Sequence, residues 1–152
     1  MAARKGSNAS IADRLNGFVS DSYVLFAKTQ ACHWNVVGSN FSGLHALFET
    51  QYRELFAAID ELAERVRALD AEAPLGLKNM LGRASIDDGI GAGMKNTDMV
   101  RTLMADNKAL SQKARELAEA ADEEGDIATN DMLVSRIEAH DKAAWMLKSH
   151  LG

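Results

Sequence analysis

The 21 residues APLGLKNMLGRASIDDGIGAG, at 73–93, constrain this chain more than any other stretch. They hold its one proline, Pro74, and five of its eleven glycines. Neither residue sustains a helix interior: proline lacks an N–H and clashes with the preceding turn, and glycine gives up too much backbone entropy. On both sides the sequence is rich in Ala, Leu, Glu, Lys, Arg and Met, and it nowhere alternates with the period of a strand. The chain therefore divides into two helical halves joined by a long connection, with room for one short helix near Leu77 to Leu81. Each half is broken once more. GSN at 38–40 ends a first helix that starts after Ser10, where SIAD reads as a capping arrangement, and runs to about Val37. A second helix runs from about Phe41 to Leu69, with Ser39 or Asn40 as its cap. A third runs from about Met94 to Glu124, and EGD at 124–126 separates it from a last helix over about Ile127 to His150.

Tight turns make the two helices of each half antiparallel neighbours. A connection as long as 73–93 spans the bundle and leaves the second and third long helices parallel. The expectation is an all-α, ferritin-like four-helix bundle whose long crossover carries a short helix, rather than an up-down-up-down bundle. Residues 1–10 are expected to form a flexible tail and 11–150 a single domain. A core of that size buries roughly 70% of the unfolded chain's surface. The lone Cys32 excludes an intrachain disulfide and fits a reducing cytosol. MAARKGSNAS carries no apolar leader, and no apolar run approaches the ~20 residues that cross a bilayer. A cytoplasmic protein without membrane contact is expected. The net charge of −5 argues against a generally basic nucleic-acid surface.

Two of the four histidines, His33 and His45, stand six residues on either side of Ser39. Across an antiparallel hairpin, residues equidistant from the turn lie at similar height, so the two can meet. Glu49 is one turn beyond His45, and Asp60 and Glu64 form a second pair at the same spacing. At ~100° per residue with His45 at zero, Glu49 falls near 40°, Asp60 near 60° and Glu64 near 100°. The apolar stripe of Leu44, Phe48, Leu55, Ile59, Leu62 and Val66 falls elsewhere, so the polar stripe lies beside the core face. Two imidazoles and three carboxylates suit a divalent ion such as iron or manganese. Singly, His33 also fits a packing residue at a helix end, and the acids fit a solvated face paired with Arg53 and Arg67. His45 and Asp60 lie about 22 Å apart along a helix. Either the two groups are unrelated, or a second chain packed across a two-fold axis brings its Asp60 and Glu64 to this chain's His33 and His45. No Glu-x-x-His, the intra-bundle di-iron motif, occurs in the sequence. Trp34 is either a packing residue or an electron relay beside the metal. Cys32 reads as a small buried residue, His140 as structural, and the methionines as core filler.

KTQACHWNVVGSNFSGLHALFETQYRELFAAIDELAERVRALD resembles the signature of the Dps mini-ferritins, the DNA-binding proteins of starved cells. Its parts are His-Trp, a glycine, Phe-x-x-Leu-His, an acid four residues on, and Asp-x-x-x-Glu-Arg. GDIATNDML at 125–133 and HDKAAWML at 140–147 resemble the family's last helix, so the likeness runs from about 11 to 150. The resemblance implies a homo-dodecameric shell of tetrahedral symmetry, built from two-fold dimers. It implies ferroxidase centres at the two-fold interfaces, with His33, His45 and Glu49 from one subunit and Asp60 and Glu64 from its neighbour. Fe(II) would be oxidised there, preferentially by hydrogen peroxide rather than O2, and stored as ferric oxyhydroxide. Zinc suits the same ligands. The family often has Asp where Glu49 stands, and the longer side chain bears on a second, weaker iron position.

Acids near the last turn line three-fold pores in the family. Asp126 and Asp131 are the candidates here, with Asp122 behind, and each fits a helix-capping acid equally well. Twelve copies at −5 carry −60 in all, a field that draws Fe(II) inward. Family members that bind DNA often use lysine-rich tails. This chain offers only Arg4 and Lys5, so DNA contact is expected to be weak and strongly salt-dependent. The alternative reading is a nucleoid-associated, DNA-compacting protein with iron handling secondary.

Overall fold

The computed structural model describes residues 9–152. Arg4 and Lys5, and most of the expected tail, lie outside them. Five helices follow in order: α1 (Ile11–Asn35), α2 (Phe41–Ala68), α3 (Leu77–Arg83), α4 (Asn96–Glu123) and α5 (Ile127–Lys148). Among the described residues there is no strand. The expected elements all form, with ends shifted by one or two residues. α1 stops at Asn35 because Val36 turns extended at ψ 138°. α4 starts two residues later than expected, after an extended Lys95.

The helix ends follow from local chemistry. Ser10 Oγ accepts the Asp13 N–H at 3.1 Å and caps α1 as expected. Asn40 precedes α2 but makes no side-chain cap. Gly125, at φ +76°, closes α4 in a Schellman motif: its N–H donates to the Asp122 carbonyl and that of Asp126 to the Ala121 carbonyl. A side chain at 125 would strain that left-handed turn.

Polar pairs between helices report the direction of each. Asp21 meets Lys113 and Lys28 meets Asp106, so α1 and α4 run antiparallel. α1 and α2 are antiparallel through their turn, which leaves α2 and α4 parallel, as the long crossover requires. The α4–α5 and α1–α2 hairpins pack closely, α1 lies against α4 and α3, and α2 meets α5 mainly through side chains, as where Arg136 pairs with Glu54 and Gln51 donates to the Ala143 carbonyl. The core contains Leu15, Phe18, Leu25, Phe48, Leu55, Leu62, Leu103, Leu110 and Leu133, all buried.

The crossover is pinned to the outside of α1. Asp21 is 2% exposed and its carboxylate accepts from the Ser85 N–H at 2.6 Å, the Ser85 hydroxyl at 2.8 Å, the Ile86 N–H at 3.3 Å and Lys113 Nζ at 2.7 Å. Lys28, 3% exposed, donates to the Asp87 carbonyl at 2.7 Å and pairs with Asp106 at 2.8 Å. Asn16 donates to the Glu72 carbonyl. At the hairpin tip, Asn96 Nδ2 donates to the Val37 carbonyl, tying the α1–α2 turn to the start of α4.

Candidate metal centre

His33 lies two residues before the end of α1, and His45 in the second turn of α2. Their rings stack with centroids 3.7 Å apart and planes 16° from parallel. Each ring also bonds to the other's backbone. His33 Nδ1 is 2.7 Å from the His45 carbonyl, and His45 Nδ1 is 2.8 Å from the His33 carbonyl. A carbonyl only accepts, so both Nδ1 atoms carry the proton. In the neutral ring both Nε2 atoms are then lone pairs, the form in which imidazole ligates a metal. The His33 carbonyl sits at the end of α1, where helical N–H donors have run out, and His45 supplies one.

Aromatic rings hold the pair. Phe41 stacks on His45 at 4.8 Å, and Tyr52 meets His33 edge-on at 5.2 Å. Phe26 backs Tyr52 at 5.9 Å. Tyr52 was missed in the sequence, although it lies two helical turns beyond His45 and so on the same face of α2. Trp34, in contrast, is 66% exposed and does not pack into the core of its own chain.

Glu49 lies beside the imidazoles on α2 and is gripped by Arg53, one turn on. Arg53 Nη2 and Nε both donate to Glu49 Oε1, at 2.8 and 3.0 Å. Those hydrogen bonds hold its carboxyl below the ordinary carboxylate range, helped by the positive charge of Arg53. Arg53 was the partner foreseen for Glu49, whereas Arg67 donates to the Ala71 carbonyl.

Asp60 and Glu64 are exposed on the same helix. α2 is one uninterrupted helix over Phe41–Ala68, so about 22 Å separates Asp60 from His45 within one chain. Among the described residues no three His, Cys, Asp or Glu side chains of a single chain stand close enough to hold a metal ion. The chain presents two donor sets: an imidazole pair with a carboxylate at one end of α2, and a carboxylate pair toward the other. Nitrogen and carboxylate donors of this kind fit Fe(II) and equally Zn(II).

The acids at the last turn separate by role. Asp126 caps α5, accepting the Thr129 N–H at 3.0 Å, and pairs with Arg65 at 2.7 Å. Burial works against its charge, but the bonds from Thr129 and Arg65 outweigh it and lower the pKa. Asp122 and Asp131 are exposed. Arg65, whose hydrogen bonds to Asp126 and Thr129 tie the Asp60–Glu64 end of α2 to α5, was also not singled out in the sequence. His140 is buried and structural as expected. It donates from Nδ1 to Asn107 Oδ1 at 2.8 Å, and burial, with the Arg136 cation beside it, lowers its pKa to about 3. Cys32 is fully buried, and that burial raises its thiol to about 12, so it is inert as a nucleophile or ligand.

Comparison with known proteins places the chain and its fold. The ferritin-like domain family matches residues 12–152. A DNA protection during starvation protein of Brevibacillus brevis is 37% identical over 93% of this chain and 94% of its own. A Dps crystal structure from Thermosynechococcus elongatus superposes with a TM-score of 0.90 at 31% identity, covering 93% of this chain and 90% of that one. A Vibrio cholerae Dps protein, described as belonging to a broad superfamily of ferritin-like diiron-carboxylate proteins, superposes at 0.88 with 31% identity, over 93% and 89% of the two chains.

Proposed function

Because this chain belongs to the ferritin-like family and, within it, to the Dps proteins, we propose that it oxidises Fe(II) at centres shared between two subunits and stores the ferric product. The reciprocal bonding of His33 and His45 carries this reading, since it presents two Nε2 lone pairs side by side. In the centre, His33, His45 and Glu49 of one chain face Asp60 and Glu64 of its two-fold neighbour, and iron enters as substrate. The imidazoles bind it and the carboxylates neutralise its charge. Two Fe(II) supply the two electrons that reduce hydrogen peroxide, the preferred oxidant, to the level of water, so hydroxyl radical is not released. O2 serves as the slower oxidant, and zinc competes for the same donors.

The assembly we infer is a homo-dodecamer of tetrahedral symmetry. Asp122 and Asp131 stand exposed at the turn that would line its pores, while Asp126 is already committed to Arg65 and the cap of α5. The chain acts in the cytoplasm in this reading. No helix among the described residues is long and apolar enough to cross a membrane. The net charge of −5 sets DNA compaction behind iron handling. The test is to load the protein with Fe(II) anaerobically, add peroxide, and follow ferric absorbance. The His33→Ala, His45→Ala double variant is expected to lose the fast phase, and equal rates in the two proteins would remove the proposed centre.

A further inference from the structure

Arg53 pairs with Glu49 one turn back on α2 and also lies beside the Tyr52 ring. It is 69% exposed by side chain, yet its guanidinium has three fixed contacts. Two N–H groups converge on one oxygen of Glu49, and the guanidinium carbon lies 5.7 Å from the centroid of the Tyr52 ring. Tyr52 in turn holds His33 edge-on. The cation is thereby anchored from both sides, one helical turn from the Glu49 carboxylate and two from His45.

The consequence concerns how many ions the centre takes. Because both donors use Oε1, that oxygen is occupied and Oε2 remains the only uncommitted one. A metal ion between the imidazoles and the partner's Asp60 and Glu64 does not need Glu49. A second ion, on the Glu49 side, does. It meets a carboxylate with one oxygen taken and a positive charge within a few ångströms. The Glu49 side chain adds reach without freeing Oε1.

We propose that Arg53 is the residue that sets the occupancy of the second metal position, acting as a built-in cation that competes with metal for Glu49. The inference rests on the centre described above. At a largely solvated site, a unit charge about 5 Å from a divalent ion changes its affinity by roughly tenfold. Arg53 therefore makes the centre fill in two separated steps. One ion binds tightly, and the second only as Arg53 gives up Glu49. In this role Arg53 is a positioning residue, since it acts on the metal through the carboxylate.

The assembled protein is titrated anaerobically with Co(II), a redox-silent probe, and binding is followed by calorimetry and by the visible absorption of the ion. Arg53→Gln is expected to tighten the second step about tenfold with the first step changed much less. Arg53→Lys, which keeps the charge, is expected to stay near wild type. Second-step affinity unchanged or weakened in Arg53→Gln would overturn the role of Arg53. The His33→Ala, His45→Ala protein separates the two claims. If it loses both steps while Arg53→Gln matches wild type, the centre stands and Arg53 is incidental. If it binds Co(II) as wild type does, the centre itself falls, and this inference with it.

Discussion

His140 makes the protein's stability depend on pH in a way that one substitution removes. The imidazole is 1% exposed and donates to Asn107 Oδ1, whose own amide donates to the Leu103 carbonyl. Desolvation, with the Arg136 cation 3.4 Å from Nε2, lowers its pKa from the ordinary 6.5 to about 3. In the unfolded chain it titrates near 6.5, so below that pH the unfolded state binds a proton that the native state refuses. Stability is intact above 6.5, falls as the pH drops from 6.5 toward 3, and levels off below. At about pH 5 the loss from this one group is roughly 2 kcal/mol, at 1.36 kcal/mol per pH interval of one. His140→Gln keeps a donor for Asn107 but does not titrate. It costs about 1–3 kcal/mol at neutral pH through an imperfect buried contact. Its additional loss between about pH 7 and pH 5 is expected to be smaller than wild type's by roughly 2 kcal/mol. Urea unfolding at fixed protein concentration, at the two pH values and for both proteins, measures this directly. Parallel pH dependence in the two would refute a buried, neutral His140.

Asp21→Ala removes the acceptor of four hydrogen bonds and is expected to cost about 2–4 kcal/mol, less than four buried bonds because water reaches the crossover. The local signature is faster amide exchange at Ser85 and Ile86. Phe48→Ala, at a side chain with 0% exposure, is expected to cost about 3–5 kcal/mol in thermal unfolding. Asp126→Ala removes the cap of α5 and the Arg65 pair together. It is expected to cost about 1–3 kcal/mol and to raise exchange in the first turn of α5, with Asp126→Asn keeping the cap and part of the stability.

The bundle and the histidine pair were legible because both follow from helical repeat and turn position. Residues equidistant from Ser39 must face each other once two helices fold back at that turn. The 22 Å span between His45 and Asp60 is likewise fixed by rise per residue, whatever the tertiary structure does. What could not be read were side-chain pairings between segments distant in sequence. Nothing periodic marks Asp21 as the clasp for Ser85, or Arg65 as the tie to Asp126. Trp34, read as a packing residue or a relay, stands exposed because it lies about 100° around α1 from His33, which turns into the His45 contact. Tyr52 carries no ligating atom of the kind a metal stripe reveals, and its edge-on contact with His33 shows only in the folded hairpin, although its spacing from His45 puts it on the same face of α2.

The central claim is that each metal centre takes its histidines from one chain and its Asp60–Glu64 pair from another. Complementation between two inactive proteins tests it most directly. One carries His33→Ala with His45→Ala, the other Asp60→Ala with Glu64→Ala. After co-assembly, half of the two-fold pairs are mixed, and each mixed pair has one centre with all its ligands and one left with Glu49 alone. The shared-site account predicts that neither variant alone oxidises Fe(II) rapidly and that the co-assembled mixture recovers about a quarter of the wild-type activity. A mixture as inactive as its components would contradict it, because sites contained within single chains are damaged in every subunit present.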